Sequence, residues 1–497
     1  MINENVRSVA RNTVIMMMSQ VITWISSFIL MMFLPKYLGS SGYGELYLAM
    51  SITAMFQVLI EFGGQYHITK EVSRVHESAP VIFINSAVSR IFLWFASIVL
   101  MILFSWIAGY SWQILLLIMI LGTAKLWEGI NSLLRNCYQG YELMEYPSIG
   151  AAAERIFLTA AAIPALLMGK AQVTIAIVMA ISTLLNFGIS SAFAKKIIRS
   201  IPKIDFEQVK SLLKQGMPYF FWSLFATIYF RVDVIMLSVM TNYNVVGWYG
   251  AAYRLFDILM FFPYIFSQAL FPVLARIAGS KENSLSNVVG KSIDVILLVG
   301  IPIAVVLFSY APQITDFLFG LKDYENSIII LQIFAVCLLL IYIDFVLGSS
   351  VLATDKQKIW SIVACVAVFL NMGLNYFIIT SFQNSSGNGG TGAAIATVIT
   401  ELFIMFSAIY LLRGSIQNFF NFKVIVSEIL GGVLMGGVFY LFKDLEFNWV
   451  VKVVIGLIIY FALILWIYSY TSKKKLFTVN NILSIKKFLG NIIVKEN

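Results

Sequence analysis

Ser327–Ser350 reads SIIILQIFAVCLLLIYIDFVLGSS, and its only charged residue is Asp344. A helix rising 1.5 Å per residue covers about 36 Å over that length, enough to cross a hydrocarbon core ~30 Å thick. Lipid offers no partner for a backbone N–H or C=O. A stretch like this must therefore close its hydrogen bonds within itself, as a helix. Working outward, fourteen segments meet the same standard: residues 14–34, 45–62, 88–108, 112–135, 149–168, 173–194, 216–240, 247–271, 291–311, 327–350, 359–380, 392–413, 424–442 and 450–470. The fold class expected is an all-α integral membrane protein. Composition agrees: 60% of the 497 residues are hydrophobic and 12% charged, where a soluble domain carries about 25% charged residues. Ala10–Leu34 shows no small-residue cleavage site and reads as the first span, not as a signal peptide.

The basic residues orient these spans. With the N-terminus in the cytoplasm, 25 Lys and Arg residues fall on the cytoplasmic side, from Arg7 and Arg11 to the tail lysines Lys473, Lys474, Lys475, Lys486, Lys487 and Lys495. Only Lys36, Lys170, Lys322, Lys443 and Lys452 fall outside. A split this uneven follows the positive-inside rule and places both termini in the cytoplasm. The net charge of +9 is thereby an orientation signal and not a nucleic-acid surface. Cys137, Cys337 and Cys365 have no paired spacing, and the two histidines, His67 and His76, share one polar stretch, so no zinc site, disulfide framework or other metal or cofactor site is expected.

The longest polar stretch, 195–215, separates six spans from the next six. It divides the chain into halves 1–200 and 201–415, followed by two additional spans and a basic tail in 416–497. A shift of 203 residues pairs Gly44 with Gly247 and Ala49 with Ala252. Such identities are near chance in so apolar a chain. The parallel repeat rests on matching span order and on the linker position.

Five ordered stretches carry a resemblance: LPKYLGSSGYGELYLA (Leu34–Ala49), YFRVDVIMLS (Tyr229–Ser238), VGWYGAAYRL (Val246–Leu255), LFPVLARI (Leu270–Ile277), and VLATDKQK (Val351–Lys358) with LNMGLNYFII (Leu370–Ile379) and GTGAAIATVITE (Gly390–Glu401). Together they resemble the Wzx-type flippases of O-antigen and capsule repeat units, within the MATE-like exporters. The resemblance implies a polyprenyl-diphosphate-linked oligosaccharide as substrate and membrane lipids as surroundings. It further implies a polysaccharide polymerase and a chain-length regulator as neighbours in the pathway.

Within the motifs, Gly39, Gly42 and Gly44 suit a tight turn, and Gln383–Gly392 (QNSSGNGGTG) reads as a flexible loop. Pro164 and Pro263 should kink their spans.

Charges at membrane depth cost about 2.5–3.5 kcal/mol each on insertion scales and so mark cavities or ion pairs. The candidates are Lys125 with Glu128, Glu154 with Arg155, Arg231 with Asp233, Arg254 with Asp257, and Asp344 with Glu401. Arg231 and Arg254 lie about 14 and 10 Å below the outer ends of adjacent spans, in one stratum of a helical hairpin. Asp257 shares a helix face with Arg254, and Lys125 shares one with Glu128. Two residues turn a helix by about 200°, so Asp233 faces away from Arg231. Lys125 with Glu128 is expected as a helix-locking ion pair that also belongs to the cationic lumen. Arg155, Arg231, Arg254 and Asp257 are expected to line that lumen. Guanidinium pairs phosphate bidentately and suits a diphosphate head group. Asp257, Asp344 and Glu401 are the candidates for ion coupling. Trp222, Tyr229, Trp248, Tyr249 and Tyr253 surround the hairpin. Trp248 and Tyr249 read as part of an interfacial belt.

The expected function is a flippase and not an enzyme. The external loops are short, and the longest, around Ala311–Asn326, carries only Asp316, Lys322, Asp323 and Glu325 as charged groups. No phosphate-binding loop with a Lys–Ser/Thr pair is present to drive transport with nucleotide. The alternatives are a peptidoglycan-precursor flippase, which would share the cationic lumen, and a MATE-type drug exporter, which would favour acidic groups.

Overall fold

The computed structural model describes residues 2–198, 202–278, 284–413, 422–446 and 448–471. Arg199, Lys281 and the tail lysines used to orient the chain lie outside them, and the side chains of Arg7 and Arg11 are not described. In chain order the α-helices are α1 (Ile2–Glu61), α2 (Gly64–Arg74), α3 (Ala79–Ile107), α4 (Trp112–Gly140), α5 (Glu145–Leu167), α6 (Gln172–Ala192), α7 (Phe206–Met240), α8 (Tyr243–Leu259), α9 (Phe261–Ala278), α10 (Ser284–Ser309), α11 (Ala311–Leu318), α12 (Leu321–Tyr324), α13 (Ser327–Ala353), α14 (Gln357–Ser386), α15 (Gly389–Leu412), α16 (Phe422–Leu441) and α17 (Trp449–Thr471). No strand occurs among the described residues. The protein is a multi-pass membrane protein.

Among the described residues, thirteen helical segments are long and apolar enough to cross a bilayer. The first, Val14–Glu61, has 48 residues, about 72 Å of helix and twice the hydrocarbon thickness. It is two crossings, because the helix breaks at Gly39, whose φ of 68° and ψ of 174° a side chain would strain. Counting both legs restores the fourteen crossings expected. Gly42 and Gly44 are helical. Of the three glycines, Gly39 alone makes the turn. Likewise Gln383–Gly392 is not a flexible loop: α14 runs to Ser386, Gly387 turns at φ 69°, and α15 starts at Gly389. The eighth span breaks at Met260 between α8 and α9, next to Pro263, while Pro164 lies inside α5.

Contacts between turns sort the helix ends onto two faces. On one face Ser40 hydrogen-bonds Asn244 at 2.8 Å, the Trp248 indole donates to the Asp323 carbonyl at 2.8 Å, and Tyr324 donates to the Pro35 carbonyl at 3.1 Å. On the other, Tyr141 donates to the His76 carbonyl, Tyr138 to the Ser190 carbonyl, and the Asn85 side chain holds the start of α7. The second is called the linker face here. The polar stretch 195–215 is mostly ordered: α7 begins at Phe206, capped by the Asp205 carboxylate, which accepts from the Glu207 and Gln208 amides at 3.0 and 3.3 Å.

The second leg of α1 runs closely along α8, and both depend on missing side chains. A Cβ on Gly44 would lie 1.9 Å from the Tyr243 carbonyl oxygen. A Cβ on Gly247 would lie 2.0 Å from that of Ser40. The two contacts are reciprocal under the 203-residue shift, which maps Ser40 to Tyr243 and Gly44 to Gly247. Small residues thus bring two backbones together, as membrane helices do where hydrophobic association gives little drive. On the linker face Gly63 packs on Gly216 and the Phe62 and Phe220 rings stack at 4.5 Å.

Candidate functional site

A cavity of about 630 Å³ lies among α1, α4, α5 and α6, and Arg231 of α7 and Arg254 of α8 complete its wall. It reaches from Met16 and Met144 to Leu34 and Tyr43. Its size falls in the range of small-molecule sites, large enough for a head group of a few sugar rings. Five cations line it, Lys125, Arg135, Arg155, Arg231 and Arg254, against three acids, Glu61, Glu128 and Glu154.

The acids are occupied. Glu128 pairs with Lys125 at 2.6 Å, Glu154 accepts from the Asn186 amide at 2.6 Å, and Glu61 accepts from Gln57 at 3.3 Å. Arg231 pairs with Asp257 at 3.9 Å and donates to the Tyr47 hydroxyl at 3.4 Å. Arg135, Arg155 and Arg254 make no ion pair among the described residues. Three guanidinium groups thus stand in the wall outside any ion pair, with Glu128 in the electrostatic range of Arg135 and Arg155 and Asp257 in that of Arg254. The five cations outnumber the three acids of the wall, which favours an anionic occupant.

Lys125, Arg155, Arg231 and Arg254 therefore come together around one cavity. Asp257 does not line it: the carboxylate turns across the hairpin to Arg231, although Arg254 sits one turn away on its own helix. The aromatic residues of the hairpin are elsewhere too. Tyr249 is fully buried and donates to Asp233 at 2.7 Å, so it is not part of an interfacial belt. Tyr253 packs against Tyr249, Phe256 and Phe334. The side chain of Trp222 lies outside the described residues. The aromatic rings that do reach the cavity are Tyr43 and Tyr47, stacked with centroids 5.8 Å apart.

A second polar cluster is buried among α7, α8, α13, α14 and α15. Asp233, pointing away from Arg231, accepts from Tyr249, from the Asn375 amide at 2.6 Å and from Thr397 at 3.1 Å. Asn375 also donates to Asn371 at 2.8 Å. Tyr229 donates to Glu401. Asp344 lies against Glu401, close enough for the two carboxyl groups to share a hydrogen bond, and its buried oxygens have no partner outside that pair. Sequence reading found the acids but missed the donors. Asn371 and Asn375, four residues apart inside an apolar span, were the available signal. No group of three or more His, Cys, Asp or Glu residues among the described ones is arranged to hold a metal.

A family model described as polysaccharide biosynthesis protein matches residues 9–278, more than half of the chain. The chain belongs to the polysaccharide biosynthesis protein family. A second model, MatE, matches residues 218–377. The chain is 24% identical over 273 residues to a protein of Haloferax volcanii named as a probable low-salt glycan biosynthesis flippase, Agl15. That match takes in 54% of this chain and 56% of the relative, so the chain spans little more than half of the curated relative. Among solved structures, the lipid II flippase MurJ in an inward closed conformation superposes with a TM-score of 0.75 at 16% identity, over 94% of this chain and 100% of that one. An inward-facing multidrug resistance MATE transporter of the MOP superfamily gives 0.65 at 14% identity, over 84% and 98%. This polysaccharide biosynthesis protein therefore has the fold of the MOP-superfamily transporters, and the cationic cavity sits inside that fold.

Proposed function

We propose that this chain is a flippase that carries a polyprenyl-diphosphate-linked oligosaccharide repeat unit across a bacterial cytoplasmic membrane for surface polysaccharide assembly, O-antigen, capsule or exopolysaccharide. The observation that carries the reading is the cavity wall in which five cations face three acids, with Arg135, Arg155 and Arg254 in no ion pair among the described residues. The diphosphate is drawn to those guanidinium groups, bidentate to each it reaches. Tyr43 and Tyr47 close the wall beside Arg231, whose guanidinium donates to the Tyr47 hydroxyl. The polyprenyl tail stays in lipid.

Both termini and the linker face are cytoplasmic in this reading, and the halves 1–200 and 201–415 are the moving units of alternating access. Residues 416–497 are an addition to that core. Moving a head group of charge −2 outward across an inside-negative potential releases about 4.6 kcal/mol per 100 mV if uncompensated. Asp344 and Glu401 are the acids proposed to couple transport to an ion gradient, because they lie against one another in a buried site and Asp344 has no partner outside that pair. A polymerase and a chain-length regulator consume the product outside.

The test is export of the repeat unit by cells carrying Arg155→Glu, Arg231→Glu or Arg254→Glu at wild-type protein levels. Each reversal should abolish surface polysaccharide, and the Lys replacements should retain part of it, since a point charge keeps attraction but loses the bidentate fork. Undiminished polysaccharide in all three Glu variants would remove the cavity from the transport path. Rescue of peptidoglycan-precursor export, with no effect on polysaccharide, would move the assignment to the other lipid-linked substrate.

A further inference from the structure

Three helices bring unpartnered oxygens together where the added pair α16–α17 meets the core. Asp294 of α10 is 7% exposed, and Glu428 of α16 and Tyr460 of α17 are each 1% exposed. One carboxyl oxygen of each acid and the Tyr460 hydroxyl are buried with no hydrogen-bond partner. Glu428 lies in the electrostatic range of both Asp294 and Tyr460. Neither acid pairs with a basic side chain among the described residues: Lys291 of α10 and Lys423 of α16 are exposed, and Lys452 of α17, though buried, donates to the Lys443 carbonyl at 3.1 Å.

The helix faces explain how these groups meet. Gly431 and Gly432 follow Glu428 by three and four residues, on the same face of α16. A Cβ on Gly432 would lie 2.6 Å from Ile301 of α10, and one on Gly431 would lie 3.1 Å from the Tyr460 ring. Ile301 in turn follows Asp294 by seven residues, two turns along one face of α10. The close approach that the glycines permit therefore closes α10, α16 and α17 around the two carboxyl groups.

Two buried carboxylates within electrostatic range of one another in an apolar setting repel, and each lacks the solvation it had in water. A bound monovalent cation relieves both costs at once and gives the Tyr460 oxygen a partner. We propose that Asp294, Glu428 and Tyr460 form a monovalent-cation site, for one sodium ion or one shared proton, that fastens α16 and α17 to the core. The site lies apart from the arginine-lined cavity and from the Asp344–Glu401 cluster, and it stands whether or not the chain moves a lipid-linked sugar.

The test is labelling of the full-length purified protein with a hydrophobic carbodiimide, located by mass spectrometry on the peptide carrying Glu428. If a sodium ion is held, sodium should slow labelling about tenfold at ten times its half-protecting concentration, against N-methylglucamine at equal ionic strength. If a proton is held, Glu428 should label at neutral pH, and only alkaline pH should slow it. Asp294→Asn should abolish either response, and Tyr460→Phe should weaken it, while Glu401→Gln leaves it unchanged. Should a variant fold poorly, the melting temperature of the wild type and of Glu428→Gln, read with and without sodium and across pH, gives the same discrimination. A wild type whose Glu428 responds to neither sodium nor pH, or an Asp294→Asn protein with an unaltered response, would overturn the proposal.

Discussion

Replacing Gly44 with alanine puts a methyl group where the structure has no room for one. Its Cβ would sit 1.9 Å from the Tyr243 carbonyl oxygen and 2.9 Å from the Gly247 nitrogen. Both are backbone atoms, so no rotamer change gives relief. Bringing the first contact to 3.0 Å needs about 1.1 Å of separation between the second leg of α1 and α8. Overpacking of this kind costs about 1–3 kcal/mol. This contact, with the Ser40–Asn244 hydrogen bond beside it, seals the face away from the linker. If the seal forms only while that face is closed, the whole cost falls on the closed state. The ratio of closed to open molecules should then drop by about 5–150-fold. Spin labels at the exposed positions Tyr37 and Leu321, read by pulsed dipolar spectroscopy in nanodiscs, should report a longer distance in Gly44→Ala than in wild type. Gly247→Ala should do the same through its reciprocal contact with the Ser40 carbonyl, and the double variant should add less than the sum, because the two sites touch. Gly373→Ala, with nothing within 4 Å of its would-be Cβ, is the control. Unchanged distances in both variants, with wild-type melting temperatures, would refute the idea that this contact is a gate.

Two further outcomes test orientation and energy source. Cysteines at Asn384 and Asn448 should react with an impermeant external reagent in intact cells, and one at Lys195 should not; labelling of Lys195→Cys would invert the assigned orientation. In proteoliposomes holding a labelled lipid-linked oligosaccharide, transport should respond to an imposed pH or sodium gradient, and Asp344→Asn or Glu401→Gln should remove the response. Equal rates under every gradient in the wild type would mean passive scrambling.

Much of the architecture was legible because lipid makes composition decisive. The crossings follow from length and apolarity alone; which of Gly39, Gly42 and Gly44 turns the chain between the first two does not, and the structure assigns the break to Gly39. Intramembrane cations are costly enough to stand out in sequence, and Lys125, Arg155, Arg231 and Arg254 stand in the cavity wall, whereas Arg90, buried inside α3, does not. What sequence could not give was pairing. Asp257 has Arg254 three residues away on its own helix, yet its ion pair is with Arg231 across the hairpin. Helix periodicity gives the direction of a side chain but not which neighbouring helix stands opposite it. Tyr249 was misread for the same reason: an aromatic near a helix end suits the interface, and only the approach of α7 reveals the Asp233 carboxylate that accepts the hydrogen bond of its hydroxyl.

Arg135 shows where the reasoning from depth stops. It lies at the end of a predicted span and so counted among the basic residues that orient the chain. The structure extends that span five residues further, to Gly140, and turns Arg135 into the cavity wall beside Arg155 and Glu128. A residue at a span boundary can serve either topology or the lumen, and its hydropathy is the same in both roles. The Asp294–Glu428 pair was hidden differently. Neither acid has a charged residue within two positions of it. A lone acid near a helix end resembles an interfacial residue snorkelling toward water. The two become a single buried site only when Gly431 and Gly432 let three helices close around them. Buried polar function in this chain is therefore set by where glycine permits contact as much as by where charge is placed.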